Sequence, residues 1–528
     1  MTTERRQLQR WIIAGLSFFA FAWRIRGLSS QSLWRDEIDA IYFALRDLPE
    51  TLSMFVNTAQ NGALFFLSLR PWLRLVGTSE FALRYPSVLF GMLSVALLWQ
   101  VGRRLIPGRS PDTLKRRSRL LLELTIGSAP VLATAFLAVN PYLTWYSQDG
   151  KMYALTPFLA LLVAWLWLQG IGRGSWRSWL GYLAVVSIAI YSHLLMVLLI
   201  PLGVTWFVIA WPQSREHKTG YLLALAGLTL PYLPMIWWQW SFLTSPDRLT
   251  AIPVYSFPEL LDKVLITQSY GVGEPRDLLG VAPVLFLVAA GLLLGFLEIS
   301  PRPDGPLARL SAHRRHLLIV TWLLVPVFGI YLLSERQPVF NPHYIIWIAP
   351  AGVMLVALGV QLLWNNSGSL AKPLAVVLAA YVLLFWAVTG QQQKIRVVKP
   401  DLREAVAAVA RNRQQDDLLI FQLPHMQYSY RYYSGDQGPD VFRDSEVRLG
   451  RWTDGLWTNN GLPDAETREL VDQEMAQKTA GAEDIWLMLS EAELWDERGL
   501  MIEWLDDRAL LIDHFLFSHA EVRHYRLP

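Results

Sequence analysis

Long apolar segments separated by short polar ones run through residues 1–390 of the 528-residue chain. A helix that crosses the hydrocarbon core of a bilayer needs about 20 apolar residues. This pattern predicts eleven membrane-spanning helices, near residues 9–27, 80–101, 120–143, 153–169, 178–192, 194–211, 220–242, 278–298, 316–334, 344–363 and 373–390. The division of 178–211 into two short spans depends on a break at Ser192 and His193. The sequence therefore predicts a polytopic, mainly α-helical membrane protein.

Basic side chains mark alternate connections between the predicted spans. The connection after the second span has a single acid, Asp112, and contains the basic residues Arg103, Arg104, Arg109, Lys115, Arg116, Arg117 and Arg119. Such an excess of lysine and arginine is typical of the cytoplasmic side. The N-terminus is then cytoplasmic, and the outward-facing segments are residues 28–79, 144–152, the turn near His193, 243–277, 335–343 and everything after about 391.

Two segments of the first outward loop have the spacing of amphipathic helices. Ile38, Ile41, Tyr42 and Leu45 recur at i, i+3, i+4 and i+7, and residues 63–76 form a second segment of this kind. Helices of this type lie in the plane of the membrane surface. We therefore expect two interfacial helices in this loop.

The composition changes at Lys399, where charged residues begin to alternate with short apolar runs. The pattern predicts helices at 401–413, 465–478 and near 491–506, and strands at 417–421, 485–489 and around 522–527. Such an alternation is typical of a small α/β domain. We therefore expect a membrane domain over residues 1–390, which includes loop 28–79, and an extracytoplasmic α/β domain over residues 391–528.

Composition narrows the range of functions. The chain is 53% hydrophobic and 17% charged, which is too apolar for an ordinary soluble protein. Its formal net charge of +3 gives no reason to expect nucleic acid as a partner. Cysteine is absent, which excludes disulfides, thiolate catalysis and cysteine-ligated metals.

Three carboxylates and an arginine lie together just after the first predicted span: Arg35, Asp36, Glu37 and Asp39. Ionisable groups at the edge of a membrane usually have a partner or a function. One interpretation is that Asp36 caps the following helix, with Asp39 completing a capping box. The other makes Asp36 a general base that faces a cavity. On a helix Asp36 and Asp39 share a face, whereas Glu37 points elsewhere, which favours one catalytic and one supporting carboxylate.

A second polar constellation occupies residues 140–153, between two predicted spans. One interpretation is a short aqueous turn whose aromatic residues anchor it at the membrane interface. Against that interpretation, Gln148, Asp149 and Lys151 supply an acceptor, an acid and a cation within four residues. A lysine beside a phosphate stabilises it substantially in a partly buried site.

His193 and His343 both fall on the outward side of the predicted topology. Each is either a packed, hydrogen-bonded histidine or a group that hydrogen-bonds a phosphate or a metal-bound water. Arg84, at the head of the second span, is either a snorkelling arginine beside a helix N-terminus or part of a site. The sequence contains no HExxH motif, phosphate-binding loop or nucleophile elbow.

Residues 34–37, 80–87 and 146–153 together resemble the GT-C membrane glycosyltransferases. The most similar groups are glycosyltransferase family 39, which includes the protein O-mannosyltransferases, and the lipid A aminoarabinose transferases. Residues 340–344 resemble a late outward motif of the same family. The resemblance implies a GT-C helical bundle that transfers a sugar from a polyprenyl-phosphate donor to an acceptor outside the membrane, usually with inversion.

The resemblance also assigns roles to individual residues. It makes Asp36 the base that activates the acceptor, Glu37 a residue that supports the loop or binds acceptor, and Asp149 a second acid. It makes Lys151, His193 and His343 the groups that neutralise the carrier phosphate. The other substrate-binding residues that we expect are Arg35, Asp39, Asn61, Arg84, Gln148, Tyr153 and Tyr344. A polyprenyl phosphate leaves as an anion, so cations placed where its charge develops lower the barrier.

The chain departs from the family at three places. Residues 61–63 are Asn-Gly-Ala where many relatives have His-Pro-Pro, and Lys151 and His343 stand where arginine is common. Lysine and histidine cannot make the bidentate phosphate contact of arginine.

Two other functions compete with glycosyl transfer. A transporter or flippase of lipid-linked saccharide should show inverted repeats and polar helices near the midplane, whereas the polar groups here cluster in outward loops. A membrane-anchored binding protein would leave the acidic first loop without a function.

We expect an integral protein of a prokaryotic plasma membrane. Its partners would be a polyprenyl-phosphate sugar donor, membrane lipid and a lipid, glycan or protein acceptor, and a divalent metal stays an open alternative.

Overall fold

The computed structural model describes residues 3–57, 60–106, 125–245, 253–272, 278–294, 310–366, 368–414, 416–422, 426–435, 464–490 and 498–528. The chain divides into two compact units. The first, called the membrane unit below, comprises Met1–Arg26, Pro49–Leu67 and Arg84–Gln393. The second, called the mixed unit, comprises Gly27–Leu48, Ser68–Leu83 and Lys394–Pro528. Part of the loop 28–79, predicted to face outward, therefore belongs to the same unit as the C-terminal region, and a domain boundary near residue 390 stays a prediction.

Apolar α-helices build the membrane unit, and each predicted span overlaps one of them. These helices are Thr3–Ile25, Glu80–Leu105, Ala129–Val139, Pro141–Tyr146, Leu155–Arg173, Trp176–Ser192, Leu199–Ile209, Trp211–Ser214, Lys218–Thr244, Phe257–Tyr270, Leu278–Leu294, Ala312–Ser334, Ala349–Asn365 and Ala371–Ile395. A short helix, Leu48–Ser53, precedes Ala63–Val76, which matches the second amphipathic segment. The interfacial position of the two predicted amphipathic segments stays a prediction.

The predicted number of eleven spans is not confirmed. Within the described residues, five helices are long and apolar enough to cross a membrane: Glu80–Leu105, Met152–Arg173, Ala312–Ser334, Pro342–Asn365 and Ala371–Ile395. A sixth candidate is the pair Arg215–Leu230 and Tyr232–Phe242, which is bent by 50°. The bend falls at a proline, which has no N–H group to continue the helical hydrogen bonds. Several other apolar helices, such as Ala129–Val139, are too short to count.

The predicted break in the apolar run 178–211 is confirmed. Helix Trp176–Ser192 ends at His193, whose backbone is extended with φ −157° and ψ 118°. A 3₁₀ helix, Leu194–Leu198, follows, and the α-helix resumes at Leu199–Ile209. The break places the His193 side chain between two apolar segments.

Two glycines allow the helices Leu278–Leu294 and Ala349–Asn365 to approach closely. A Cβ atom on Gly291 would lie 2.1 Å from the Leu355 carbonyl oxygen, and one on Gly359 would lie 2.4 Å from the Leu287 carbonyl oxygen. Small residues are common where helices pack in membranes, because they let the backbones touch. These reciprocal contacts fix the pairing of the two helices.

A four-stranded sheet forms the centre of the mixed unit. Its strands are β1 (Leu418–Phe421), β2 (Asp484–Ser490), β3 (Leu510–Phe517) and β4 (Ala520–Arg526), in the order β1-β2-β4-β3. β1 pairs with β2 in parallel, and the other pairs are antiparallel. The accompanying helices are Arg35–Leu45, Leu402–Asn412, Met426–Tyr433, Asp464–Thr479 and Leu500–Arg508.

β2 is buried on both faces of this sheet. Ile485, Leu487 and Leu489 belong to one apolar cluster, and Trp486 and Met488 belong to the other. Successive residues of a strand point to opposite faces, so helices cover the sheet on two sides. A mainly α-helical fold with a small C-terminal α/β region is therefore confirmed.

Two elements of the C-terminal region were absent from the prediction, namely helix Met426–Tyr433 and strand β3. The helix predicted near 491–506 begins at Leu500 in the structure, and its first predicted residues, 491–497, lie outside the described part of the chain.

Candidate functional site

The hinge at residues 140–153 is buried in the membrane unit, so the alternative of an aqueous turn is wrong. The side chain of Asn140 caps helix Pro141–Tyr146 by accepting a hydrogen bond from the backbone N–H three residues on, at 3.0 Å. Beyond the helix, Asp149 is only 1% exposed and Lys151 only 7% exposed. Charged side chains in such surroundings are costly unless they are partnered, which makes them candidates for a function.

Two contacts fix the segment that carries Asp149 and Lys151. Ser87 Oγ donates a hydrogen bond to the Asp149 carbonyl oxygen at 2.7 Å and lies 3.3 Å from the Lys151 carbonyl oxygen. Lys151 Nζ lies 5.2 Å from the centroid of the Phe66 ring, within the range of a cation–π contact. The lysine ammonium is therefore held beside an apolar ring, where its field is less screened than in water.

Gln148 and a buried arginine tie the hinge to the first helix. Gln148 Nε2 donates to the carbonyl oxygens of Arg24 at 2.6 Å and Arg26 at 2.9 Å. Arg24 Nε in turn donates to Ser147 Oγ at 3.1 Å. The Gln148 amide nitrogen thus has a positioning role.

Two histidines and three tyrosines from separate parts of the sequence meet in the membrane unit: Tyr146, Tyr153, His193, His343 and Tyr344. The ring centroid of His343 lies 4.5 Å from that of Tyr153 and 5.6 Å from that of Tyr146. The ring centroids of His193 and Tyr344 lie 5.3 Å apart. Tilted and edge-on contacts of this kind are favourable between aromatic rings. We call these five residues the histidine–tyrosine cluster.

His193 is the least satisfied polar group of this cluster. Its side chain is 1% exposed, and neither ring nitrogen has a hydrogen-bond partner in the part of the chain that the structure describes. The adjacent backbone is fixed, because Asn61 Oδ1 accepts a hydrogen bond from Leu194 N at 2.9 Å. A buried polar group without a partner costs about 1–3 kcal/mol. The imidazole can therefore gain a partner from a ligand without giving up an existing bond.

In the mixed unit, Asp36 lies in the first turn of helix Arg35–Leu45. The residue that precedes the helix is Trp34, and its N–H donates to Glu37 Oε2 at 3.4 Å. The interpretation of Asp36 as the capping residue is therefore wrong, because Glu37 bonds the N-cap backbone instead. Asp36 Oδ1 lies 3.7 Å from Arg35 Nη2, and its side chain is 27% exposed. A carboxylate at this position is stabilised by the helix dipole and stays accessible.

Glu37 has no exposure and forms an ion pair with Lys399, whose Nζ lies 2.8 Å from Glu37 Oε2. Its charge is therefore already neutralised. Asp39 is half-buried on the same helix. Burial, the hydrogen bond with Tyr42 and the charge of Asp39 raise the pKa of the Tyr428 hydroxyl. The rings of Tyr42 and Tyr428 stack with centroids 4.4 Å apart.

A surface pocket of about 290 Å³ lies within the mixed unit. Its lining residues are Ser29, Ser79, Glu80, Phe81, Arg403, Tyr432 and Tyr433. Both Glu80 carboxylate oxygens lie 2.6 Å from Arg403 Nη2, and the Tyr433 hydroxyl donates to Glu80 Oε1 at 2.8 Å. The acid and the base of this pocket are thus paired with each other.

Metal binding stays a prediction. Within the described ranges, no group of three or more histidine, aspartate or glutamate side chains is placed to hold a metal ion.

Several known proteins are similar to the chain, although no family model matches it. The STT3 subunit of the dolichyl-diphosphooligosaccharide–protein glycosyltransferase of Saccharomyces cerevisiae is 22% identical over an alignment of 432 residues, and this alignment covers 76% of this chain and 57% of that protein. The chain thus spans less than two thirds of the length of this relative.

Solved structures resemble the chain over nearly its whole length. ArnT from Cupriavidus metallidurans in the apo state has a TM-score of 0.58 at 12% identity over 98% of both chains. Its complex with undecaprenyl phosphate has a TM-score of 0.55 at 11% identity over 97% of both. The archaeal oligosaccharyltransferase AglB from Archaeoglobus fulgidus, with an inhibitory peptide and a dolichol-phosphate, has a TM-score of 0.55 at 9% identity over 99% of this chain and 74% of that one.

The chain has the GT-C fold.

The GT-C fold distributes the predicted site residues over both units. The membrane unit contains Asn61, Arg84, Gln148, Asp149, Lys151, Tyr153, His193, His343 and Tyr344, and the mixed unit contains Arg35, Asp36, Glu37 and Asp39. Tyr153, His193, His343 and Tyr344 lie together in the histidine–tyrosine cluster. Arg84 is 2% exposed and is the fifth residue of helix Glu80–Leu105, so its guanidinium does not reach solvent as that of a snorkelling arginine would. The predicted convergence of Asp36 with Asp149 and His343 stays a prediction.

Two charged residues that the structure shows to be buried were not singled out from the sequence. Arg24 has no exposure, and a signal for it existed, because it is a charged residue inside the first predicted span. Lys399 forms the ion pair with Glu37. It carried no local signal, because its partner is 362 residues away in the sequence.

Proposed function

We propose that the chain transfers a sugar from a polyprenyl-phosphate donor to an acceptor outside the cytoplasm. The observation that carries this proposal is the histidine–tyrosine cluster, in which an unpartnered buried imidazole lies among residues of motifs that resemble donor-binding motifs. The similar proteins support it, because ArnT is bound to undecaprenyl phosphate in one structure and AglB to a dolichol-phosphate in another.

The basic residues of the membrane unit would serve the leaving group. As the bond between the anomeric carbon and the phosphate oxygen breaks, negative charge develops on the phosphate. Preorganised donors and cations at that position stabilise the transition state more than the ground state. Lys151, His193 and His343 would supply them, each through single contacts rather than the bidentate contact of arginine.

Asp36 would act as the general base that accepts a proton from the acceptor. Its side chain is partly exposed, whereas the neighbouring Glu37 is buried and neutralised by Lys399. In the proposed reaction the acceptor hydroxyl or amine attacks the anomeric carbon, its proton passes to Asp36, and the polyprenyl phosphate leaves with the bonding electron pair. One displacement of this kind inverts the anomeric centre and requires one base, unlike the two-carboxylate scheme of glycosidases.

The test is a transfer assay with the purified full-length chain in liposomes. The donors are labelled polyprenyl-phosphate pentose and hexose, and the acceptors are lipid A, an oligosaccharide and a serine-containing peptide. Asp36→Asn should lower transfer by about 10²–10⁴-fold, the usual contribution of a general base. Asp507→Asn, which changes an exposed aspartate of helix Leu500–Arg508, is the matched control and should retain full transfer. Equal turnover in both variants would exclude Asp36 as the base.

A second pair of variants tests the phosphate site. His193→Ala should raise the KM for the donor or lower turnover, because a buried donor to the phosphate is lost. His313→Ala removes an exposed histidine of helix Ala312–Ser334 and should leave both parameters unchanged. Movement of labelled lipid between leaflets without any glycosylated product would favour the transporter instead.

A further inference from the structure

The loop that carries Asp36 is bonded, within the mixed unit, to the first residues of the C-terminal region. Gln31 Oε1 accepts hydrogen bonds from the backbone N–H groups of Val398 and Lys399, each at 3.1 Å. Ser32 Oγ donates to the Pro400 carbonyl oxygen at 2.6 Å. These bonds precede Asp36 by only four and five residues, so they restrict where its helix can begin.

The C-terminal helix Met426–Tyr433 bonds the same loop a second time. The Tyr433 hydroxyl accepts a hydrogen bond from Leu33 N at 2.5 Å and donates to Glu80 Oε1 at 2.8 Å. Burial and the Glu80 carboxylate raise the pKa of this hydroxyl, so it remains protonated and able to donate. Residues 31–33 are therefore each held by a C-terminal residue.

A third link is the ion pair between Glu37 and Lys399. Their side chains are 0% and 8% exposed, and the atoms Lys399 Nζ and Glu37 Oε2 lie 2.8 Å apart. A buried pair of this kind gains little net stability, because both charges lose their hydration. Removal of one partner, however, leaves an uncompensated charge in an apolar place. The pair therefore specifies one arrangement of the helix start, with Asp36 next to the anchored residue.

We propose that Lys399 is a positioning residue, which fixes the orientation of Asp36 by anchoring Glu37, and that the C-terminal region thereby completes the catalytic loop. This inference rests on the proposed function only where it concerns catalysis. A general base must lie within hydrogen-bond reach of the proton that it accepts, and a displacement of about 1 Å can cost about 10²-fold in rate.

The test compares three full-length variants. Lys399→Met leaves Glu37 buried and charged, so turnover should fall about 10²-fold while the KM for the donor changes little. Adding Glu37→Gln to Lys399→Met removes both charges, so thermal stability should recover, whereas turnover should stay at least about tenfold below the wild type because the anchoring pair is still absent. Lys478→Met breaks the Lys478–Glu474 pair on helix Asp464–Thr479 and should leave turnover unchanged. A double variant with wild-type turnover would overturn the positioning role, because the loop would then hold Asp36 without the pair.

Hydrogen exchange of residues 27–48 gives a readout that does not depend on transfer. Exchange there should be faster than in the wild type both in Lys399→Met and in the double variant, with no change in Lys478→Met. Unchanged exchange in Lys399→Met would overturn the inference, as would faster exchange with undiminished turnover. If the wild-type chain transferred no sugar, the proposed function would fail, and the exchange pattern alone would still decide whether Lys399 anchors the loop. If Lys399→Met did not accumulate, the double variant would decide, since loss of the anchor predicts faster exchange there as well.

Discussion

Arg24 should stabilise the membrane unit by capping a helix from another part of the chain. Its guanidinium is fully buried at the carboxyl end of helix Ala129–Val139. Nη1 donates to the Ala138 carbonyl oxygen at 2.8 Å and Nη2 donates to the Leu137 carbonyl oxygen at 3.1 Å. The last carbonyl groups of a helix have no partner inside it, and they carry the negative end of its dipole. A planar cation with several donors is well suited to this position.

The cost of Arg24→Met follows from these bonds. Two buried carbonyl groups lose a charged donor, and an unsatisfied buried group costs about 1–3 kcal/mol. Ser147 keeps a partner, because its hydroxyl also donates to the Leu143 carbonyl oxygen at 2.6 Å. The loss is partly offset, because the variant no longer has to bury a cation. We therefore expect a net destabilisation of about 2–4 kcal/mol.

The assay is thermal unfolding of the purified protein in detergent, followed by intrinsic tryptophan fluorescence. Arg24→Met should lower the midpoint by about 3–6 °C. Arg26→Met, which removes an exposed arginine two residues along the chain, is the matched control and should unfold like the wild type. A midpoint for Arg24→Met at or above that of the control would show that desolvation of the guanidinium outweighs its bonds, and the reasoning would be refuted.

Two further predictions concern stability. Gly359→Val should destabilise the membrane unit by more than about 2 kcal/mol, because the added Cβ would lie 2.4 Å from the Leu287 carbonyl oxygen and force two helices apart. The midpoint of thermal unfolding measures this effect, and an unchanged midpoint would contradict close packing of the two helices. The second prediction concerns Asp484. Burial raises the pKa of its carboxyl group, but hydrogen bonds from Arg526 and His524 outweigh this effect and hold the pKa below the ordinary value of 3.8. The stability contributed by the ionised Asp484 is therefore complete above pH 3.8 and is lost as the pH falls through the lowered pKa. Asp484→Asn should destabilise the protein at pH 7 and match the wild type in acid. An equal difference in stability at both pH values would contradict this assignment.

Hydrophobic periodicity was sufficient to predict most helices but not strand β3. The segment 63–76 was predicted as a helix and is one, because its apolar face repeats at the helical period. β3 has no such regularity, since Leu510, Leu511 and Leu516 are all exposed and the register shifts between Leu511 and Asp513. Without alternation between a buried and an exposed face, a strand leaves no period-two signal.

Helix Met426–Tyr433 was missed for a different reason. It contains four tyrosines, a residue type that favours strands. Its helical form is stabilised by contacts with distant residues, such as the stacking of Tyr428 on Tyr42. Local propensity is weak enough for such contacts to override it.

The candidate site shows the same limit. The motifs that supply Tyr153, His193 and His343 could be found one by one, since each stands out as polar between apolar spans. Their mutual contacts depend on how the helices pack, and no local pattern records that packing. The convergence of these residues with Asp36 stays a prediction, because Asp36 belongs to the other unit.

The Glu37–Lys399 pair gives the C-terminal region a proposed role in positioning the catalytic loop. From the sequence, residues 391–528 formed a separate domain after the catalytic one. In the structure, residues 27–48 belong to the same compact unit as that region. A chain that stopped after residue 393 would lack Lys399 and Tyr433, so Glu37 would lose the cation that neutralises it and Leu33 N would lose its acceptor. The helical bundle alone is therefore not expected to hold Asp36 in a catalytic position.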